Sequence, residues 1–195
     1  MMETRGLTNR KNLLIAAGAA VVGTAATYWL RRAKDQPRDP LPTAPLVDLN
    51  QYMGEWFEVA RLPVSYEENC VGTKAIYTMQ PDGTVRIVNT CHKGGLDGPL
   101  KIAKGKATVA DRQRKSKLKV SFFWPFTGDY YILEVGNGYE YALVGEPSRK
   151  NLWILSRTPQ MELQLLHNLV GKAQRLGFDT GRLIYTQQPG GRSVG

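Results

Sequence analysis

Few side chains in this sequence stand where they could do chemistry. Its 195 residues include two histidines and two cysteines. A zinc site needs three or four convergent ligands, and neither His92 nor His167 has neighbours suggesting one, so no metal is expected. Cys91 and His92 are adjacent in a segment of strand character. Their side chains therefore point to opposite faces and make a poor nucleophile–base pair. The chain has no Gly-x-Ser-x-Gly elbow and no phosphate-cradling Gly-Lys-Ser/Thr loop. A carboxylate remains: Glu58, two residues past Trp56 in an apolar run. It would serve as the base if the chain were an isomerase or a lipid hydrolase. The residue types otherwise point to a binding protein, not an enzyme, with no cofactor.

Cys70 and Cys91 are not in a Cys-x-x-Cys, which argues against redox and zinc motifs. They flank the first strand pair. Either they form a disulfide, as an exported chain would allow, or they are two buried thiols. The formal net charge is +9, of which residues 1–45 carry +4 and the remainder +5. A basic surface suits anionic lipid or acidic ligands. No helix-turn-helix, zinc or RNA-sheet motif accompanies the charge, so nucleic acid is not expected as a partner. Hydrophobic content of 42% and charged content of 22% fit one globular domain with a real core.

The elements that would position these residues are mostly strands. Asp48 can cap a helical turn over Leu49 to Met53 that delivers the chain to Gly54. Alternating patterns then mark strands over Glu55–Arg61, Val71–Met79, Thr84–Cys91, Leu100–Val109, Lys117–Phe123, Tyr130–Val135, Tyr139–Val144 and Asn151–Arg157. Turn signals separate them, among them Pro81-Asp82-Gly83 and Gly136-Asn137-Gly138. Eight strands, each next to its sequence neighbour, close naturally into an up-and-down antiparallel barrel with no free edge. After Pro159 the period changes. Leu163, Leu166, Leu169, Val170 and Ala173 recur at three and four residues, marking an amphipathic helix that Gly177 can end. A short further strand, Arg182–Thr186, precedes a Gly-rich tail that reads as loose from Gln187 onward. No internal repeat is present.

Leu13 to Leu30 is apolar or small throughout, with Arg5, Arg10 and Lys11 before it and Arg31, Arg32 and Lys34 after it. Eighteen helical residues span about 27 Å, just short of a ~30 Å hydrocarbon core. This reads as an export signal, either removed or retained as a membrane anchor. Continuation of the apolar run through Tyr28, Trp29 and Leu30 favours the anchor. Residues 33–45 hold four prolines and read as an extended spacer. The expected division is 1–32 signal peptide or anchor, 33–45 linker, 46–188 barrel with its helix, and 189–195 tail.

Three motifs in order carry a family resemblance. Gly54-Glu55-Trp56-Phe57-Glu58 matches the Gly-x-Trp motif of the lipocalins, Gly128-Asp129-Tyr130 resembles their second motif, and Arg157 stands as in the third. Lys119 to Phe126, Tyr141 to Gly145 and Leu152 to Pro159 look like the bacterial outer-membrane lipocalins, a branch that includes apolipoprotein D and the plant temperature-induced lipocalins. The resemblance spans roughly residues 46–188. It implies a cup for an apolar ligand, with Trp56 plugging the closed end, Arg157 over its indole and Gly54 letting the backbone pass beneath. The cation–π contact would contribute about 0.5–2 kcal/mol. Many bacterial members carry a lipid-modified Cys, for which this chain offers a peptide anchor instead.

Strand alternation then proposes the wall of the cup. With Trp56 inward, Glu58 and Ala60 follow inward. With Arg157 inward, so do Leu155 and Trp153. Tyr77, Leu118, Val120, Phe122, Tyr139, Tyr141 and Leu143 are the other lining candidates. Each aromatic could equally be plain filling of the barrel. The resemblance implies a fatty acid or lysophospholipid as ligand, with a role in membrane lipid storage, repair or stress response. A tetrapyrrole or other pigment in the same cavity is an alternative. Lys101, Lys104, Lys106, Arg112, Arg114, Lys115, Lys117 and Lys119 form a basic cluster opposed only by Asp111. It reads either as a headgroup- or membrane-facing patch or as a solvated strand face. The expected setting is exported and membrane-associated, on the periplasmic side of the envelope in a bacterium, as a monomer or homodimer.

Overall fold

A computed structural model describes residues 39–190. The apolar stretch Leu13–Leu30, the start of the spacer and the last five residues lie outside the described residues. Asp48 caps the short helix α1 (Leu49–Tyr52), its Oδ1 accepting from the Asn50 amide at 2.9 Å. Nine strands follow: β1 (Gly54–Arg61), β2 (Cys70–Met79), β3 (Val85–Lys93), β4 (Leu100–Val109), β5 (Lys117–Phe123), β6 (Phe126–Val135), β7 (Tyr141–Gly145), β8 (Leu152–Ser156) and β9 (Ile184–Tyr185). Helix α2 (Leu163–Arg175) stands between β8 and β9.

Each of β2 to β8 pairs antiparallel with its sequence neighbour, and β1 pairs with both β8 and β2, which closes an eight-stranded barrel. Because the chain alternates direction, the turns after β1, β3, β5 and β7 share one end, the mouth. Those after β2, β4 and β6 share the other, the floor. The seam between β1 and β2 is only half closed by direct pairing, from Gly54↔Tyr77 to Phe57↔Lys74. Above that, β9 takes the edge of β1, through Ala60↔Tyr185 and Arg61↔Ile184. Gly72 donates to the Gln187 carbonyl at 2.7 Å. The Gln188 amide nitrogen donates to the carbonyls of Glu58 on β1 (2.8 Å) and Thr73 on β2 (2.9 Å). The chain expected to be loose from Gln187 is thus pinned through Gln188. Backbone groups that two diverging strands leave unpaired need partners when buried, and this segment supplies them.

Two apolar clusters sit on opposite sides of the sheet. The inner one fills the barrel and includes Trp56, Tyr77, Ile87, Leu118, Ile132 and Leu155. The outer one lies beneath α2, where Leu166, Leu169 and Ala173 meet Leu133, Leu143 and Ile154. Leu41 joins the outer cluster and Ala44 the inner one, and the Ala44 amide donates to the Ile132 carbonyl at 2.9 Å. The last part of the stretch read as spacer is therefore seated on the barrel. Helix α2 is capped by Glu162 and ends at Gly177 (φ +87°). There the Phe178 amide reaches back to Ala173 O and the Gly177 amide to Gln174 O, the paired bonds of a left-handed helix stop.

Candidate functional site

The floor of the barrel is built from the start of β1 and the end of β8. The Trp56 ring is fully buried, and its indole nitrogen donates to the Tyr52 carbonyl at 2.9 Å. The Arg157 guanidinium lies 3.8 Å from the indole centroid. It donates to Glu55 O and Gln51 O, each at 2.7 Å, and to Tyr139 O at 3.2 Å. One planar fork thus ties α1, β1 and the β6–β7 turn across the bottom of the barrel, which a single ammonium could not do. Gly54 has φ +95°, and a Cβ there would come within 3.3 Å of Arg157 Nη1. Backbone conformation and close approach both call for glycine at this position.

Above the floor the wall is aromatic and aliphatic. Tyr52, Tyr77 and Tyr130 meet inside the barrel. The Tyr130 hydroxyl is 2.8 Å from that of Tyr52 and 3.0 Å from that of Tyr77. Burial pushes all three phenols up, Tyr77 to about 12, so they are neutral donors and acceptors at physiological pH. Val120, Phe122, Tyr130 and Trp153 pack against the inner cluster yet keep part of their surface accessible. Gly105 on β4 faces Phe122, where a Cβ would come within 2.9 Å of the ring. The upper wall is therefore lined and reachable, while the floor is solid.

The mouth carries charge. Arg61 Nε lies 3.3 Å from Glu58 Oε1 and 3.0 Å from Glu67 Oε2, and Arg61 Nη2 donates to the Glu67 carbonyl at 2.6 Å. Thr186 donates its hydroxyl to Glu58. Glu58 and Arg61 are each only 3% exposed. Burial first, and the neighbouring Glu67 carboxylate second, raise the Glu58 pKa well above the usual carboxylate range. Glu67 belongs to a 3-10 turn (Ser65–Glu67) in the β1–β2 loop, held down by Lys93 donating to Glu68 O and Lys101 to Tyr66 O. Cys70 and Cys91 form a disulfide that fastens the start of β2 to β3 at the same end.

The lipocalin-like domain family matches residues 47–188, nearly the whole barrel and its helix. The chain belongs to the lipocalin family. It is 40% identical over 151 residues to temperature-induced lipocalin-1 of Arabidopsis thaliana, covering 73% of this chain and 80% of that protein. It is 41% identical over 142 residues to the outer membrane lipoprotein Blc of Vibrio cholerae, covering 72% and 82%. Insecticyanin from the tobacco hornworm Manduca sexta superposes with a TM-score of 0.60 at 20% identity, over 78% of this chain and 92% of that one, a likeness of fold.

In this lipocalin the expected lining residues divide. Tyr77, Val120, Phe122, Trp153 and Leu155 belong to or pack against the inner cluster. Tyr139 packs there too, but at the floor, where its hydroxyl accepts from the Asp48 amide at 2.7 Å. Glu58 is buried, and its carboxylate is engaged by Arg61 and Thr186. Ala60 and Tyr141 do not line the cup, nor does Leu143. All three pack in the outer cluster, and the Tyr141 hydroxyl donates to Glu134 at 2.8 Å. The reason for Ala60 is a bulge. Glu58 pairs with Leu155 but Ala60 with Ile154, so one extra residue reverses the alternation. On β7 it is Ala142 and Val144 that face inward, and Tyr141 and Leu143 alternate with them on the outer face. Tyr52, Arg61 and Gln188 escaped the sequence reading, and of these only Arg61, a charge closing an apolar strand, left a visible sign; Tyr130 was named there only as part of the second motif.

Proposed function

We propose that this lipocalin binds and transports a lipid, holding the acyl tail of a fatty acid or lysophospholipid inside the barrel. Members of its family hold small hydrophobic ligands. The observation that carries the reading is the combination of a plugged floor with an upper wall of accessible apolar side chains, Val120, Phe122 and Trp153 among them. Such a chamber favours a long apolar body entering by the mouth with its polar end outermost. The lining we assign to the ligand is Tyr77, Val120, Phe122, Trp153 and Leu155. Among the described residues no group of three or more His, Cys, Asp or Glu could hold a metal ion.

The same reading places the protein outside the cytoplasm and beside a membrane, on the periplasmic side if the cell is bacterial. The Cys70–Cys91 disulfide and the likeness to an outer membrane lipoprotein support this. Displacement of a fluorescent fatty acid by unlabelled fatty acid and by lysophospholipid tests the ligand. Saturable displacement at micromolar levels is expected; its absence for both lipids would end the proposal. A hollow of about 390 Å³ outside the barrel, between residues 42–46, the β6–β7 turn and α2, is the rival place for a ligand. Val120→Trp separates the two, since it fills the lumen and leaves the outer hollow untouched.

A further inference from the structure

The hydroxyls of Tyr52, Tyr77 and Tyr130 hold more protons than the barrel has acceptors for. Burial keeps each phenol neutral, so the three bring three O–H protons. They make two contacts, Tyr130 with Tyr52 at 2.8 Å and Tyr130 with Tyr77 at 3.0 Å, and each contact uses one proton. No other hydrogen bond reaches these hydroxyls among the described residues. One proton is therefore left over inside the barrel, whichever way the two bonds run. Tyr52 and Tyr77 are buried, and Tyr130 is half-buried. When both donate to Tyr130, the spare proton is Tyr130's own. A buried donor without an acceptor is costly, which is why such groups are nearly always paired.

Room for an acceptor lies next to Tyr130. Leu118 pairs with Tyr130 and Val120 with Gly128, so Gly128 holds the next inward position toward the mouth. A Cβ on Gly128 would meet nothing within 4 Å. Tyr77 lies seven residues from Cys70 at the mouth end of β2, roughly 18 Å along the axis for strands tilted by about 40°. One acyl chain spans about 15 Å, half of a bilayer core. The far half of a bound chain, not its carboxylate, therefore comes to the tyrosines. We propose that the lumen is fitted to an acyl chain carrying a neutral oxygen, a hydroxy- or oxo-fatty acid whose hydroxyl or carbonyl accepts the spare tyrosine proton. This rests on the lipid reading above and narrows it. An unsubstituted chain offers no acceptor at that depth. A carboxylate there would be buried without a partner, since the Arg157 guanidinium is already bonded to three main-chain carbonyls.

The test is displacement of a fluorescent fatty acid from the full chain by hexadecanoic acid and by its hydroxy derivatives, with the hydroxyl at successive carbons. Isomers hydroxylated in the far half of the chain should bind roughly fivefold more tightly than hexadecanoic acid, the worth of one net hydrogen bond. Isomers hydroxylated beside the carboxylate should gain nothing. Tyr77→Phe leaves one contact and two protons on Tyr52 and Tyr130, so the preference should persist. Replacing all three tyrosines by Phe removes donors and acceptors together, a change that costs little stability. The preference should then vanish while hexadecanoic acid still binds. Displacement by hexadecanoic acid with no isomer stronger would overturn the proposal and leave the lipid reading standing, as when a water already takes the spare proton. A preference that survives in the triple variant would overturn it as well. No displacement by any of these acids would end both readings.

Discussion

Arg157→Met should loosen the floor of the barrel by a predictable amount. The guanidinium makes three hydrogen bonds to main-chain carbonyls, at 2.7, 2.7 and 3.2 Å, and one stacking contact with Trp56 at 3.8 Å. A net ~1 kcal/mol for each bond and ~0.5–1 kcal/mol for the stacking give about 3–4 kcal/mol. Water can reach part of this cluster, since Arg157 is only partly buried, so about 2–3 kcal/mol is expected. For a domain of this size that lowers Tm by roughly 5–10 °C. Arg157→Lys keeps a cation near the indole but cannot span three carbonyls, and should cost about 1–2 kcal/mol. Urea unfolding followed by circular dichroism measures both. A double-mutant cycle with Trp56→Phe isolates the stacking, with an expected coupling of about 0.5–1 kcal/mol. A cost below about 0.5 kcal/mol for Arg157→Met, or no coupling to Trp56, would refute the view that this fork holds the floor together.

Other expectations concern the mouth and wall. Glu58 holds its proton above the ordinary value of 4.5 because burial and Glu67 disfavour its charge. The folded state therefore binds more protons than the unfolded chain above pH 4.5. The contribution is fully present below that pH and is lost as pH rises through the raised value, at no more than ~1.4 kcal/mol per pH unit. Glu58→Gln should flatten that slope in urea melts across pH, and an unchanged slope would assign the dependence elsewhere. The disulfide closes a loop with a sequence separation of 21. Its reduction should cost about 3 kcal/mol, read as a lower denaturation midpoint in reductant. Val120→Trp should weaken fatty-acid displacement at least tenfold, roughly the effect of overfilling a close-packed wall, with little change in the melt. Ala60→Phe, aimed beneath α2, should instead cost about 1–3 kcal/mol of stability and leave the affinity of the folded protein unchanged.

The strand pattern, the amphipathic helix and the three motif positions were legible because each is a local signal. Trp56, Arg157 and Gly54 were named through the resemblance of their motifs to those of the lipocalins, and the clamp they form is what that resemblance implied. β6 was placed too short, from Tyr130. It begins at Phe126, and Gly128 and Asp129 pair with β5, as in Lys119↔Asp129 and Val120↔Gly128. Partner strands decide strand length where propensity is silent. The tyrosine trio could not be foreseen for a related reason. Its members come from α1, β2 and β6, and only closure of the barrel brings their hydroxyls within 3.0 Å.

The alternation rule failed at Ala60, and the failure explains the mouth. Val59 is the residue added between the Glu58↔Leu155 and Ala60↔Ile154 pairs. With a regular strand, Ala60 would face the lumen and Arg61 the helix. With the bulge, Ala60 turns out to pack beneath α2, and Arg61 comes into register opposite Trp153, a residue of the inner wall. A buried guanidinium is tolerated there only if acceptor oxygens meet it: those of the loop residue Glu67 at 3.0 Å, and those of Glu58, whose pKa is raised, at 3.3 Å. The same part of β1 meets β9 and the Gln188 side chain, which fill the seam that β2 leaves open. One inserted residue thus sets which face of β1 serves the helix. It also fixes the charge at the entrance and ties the β1–β2 loop to the wall beneath it.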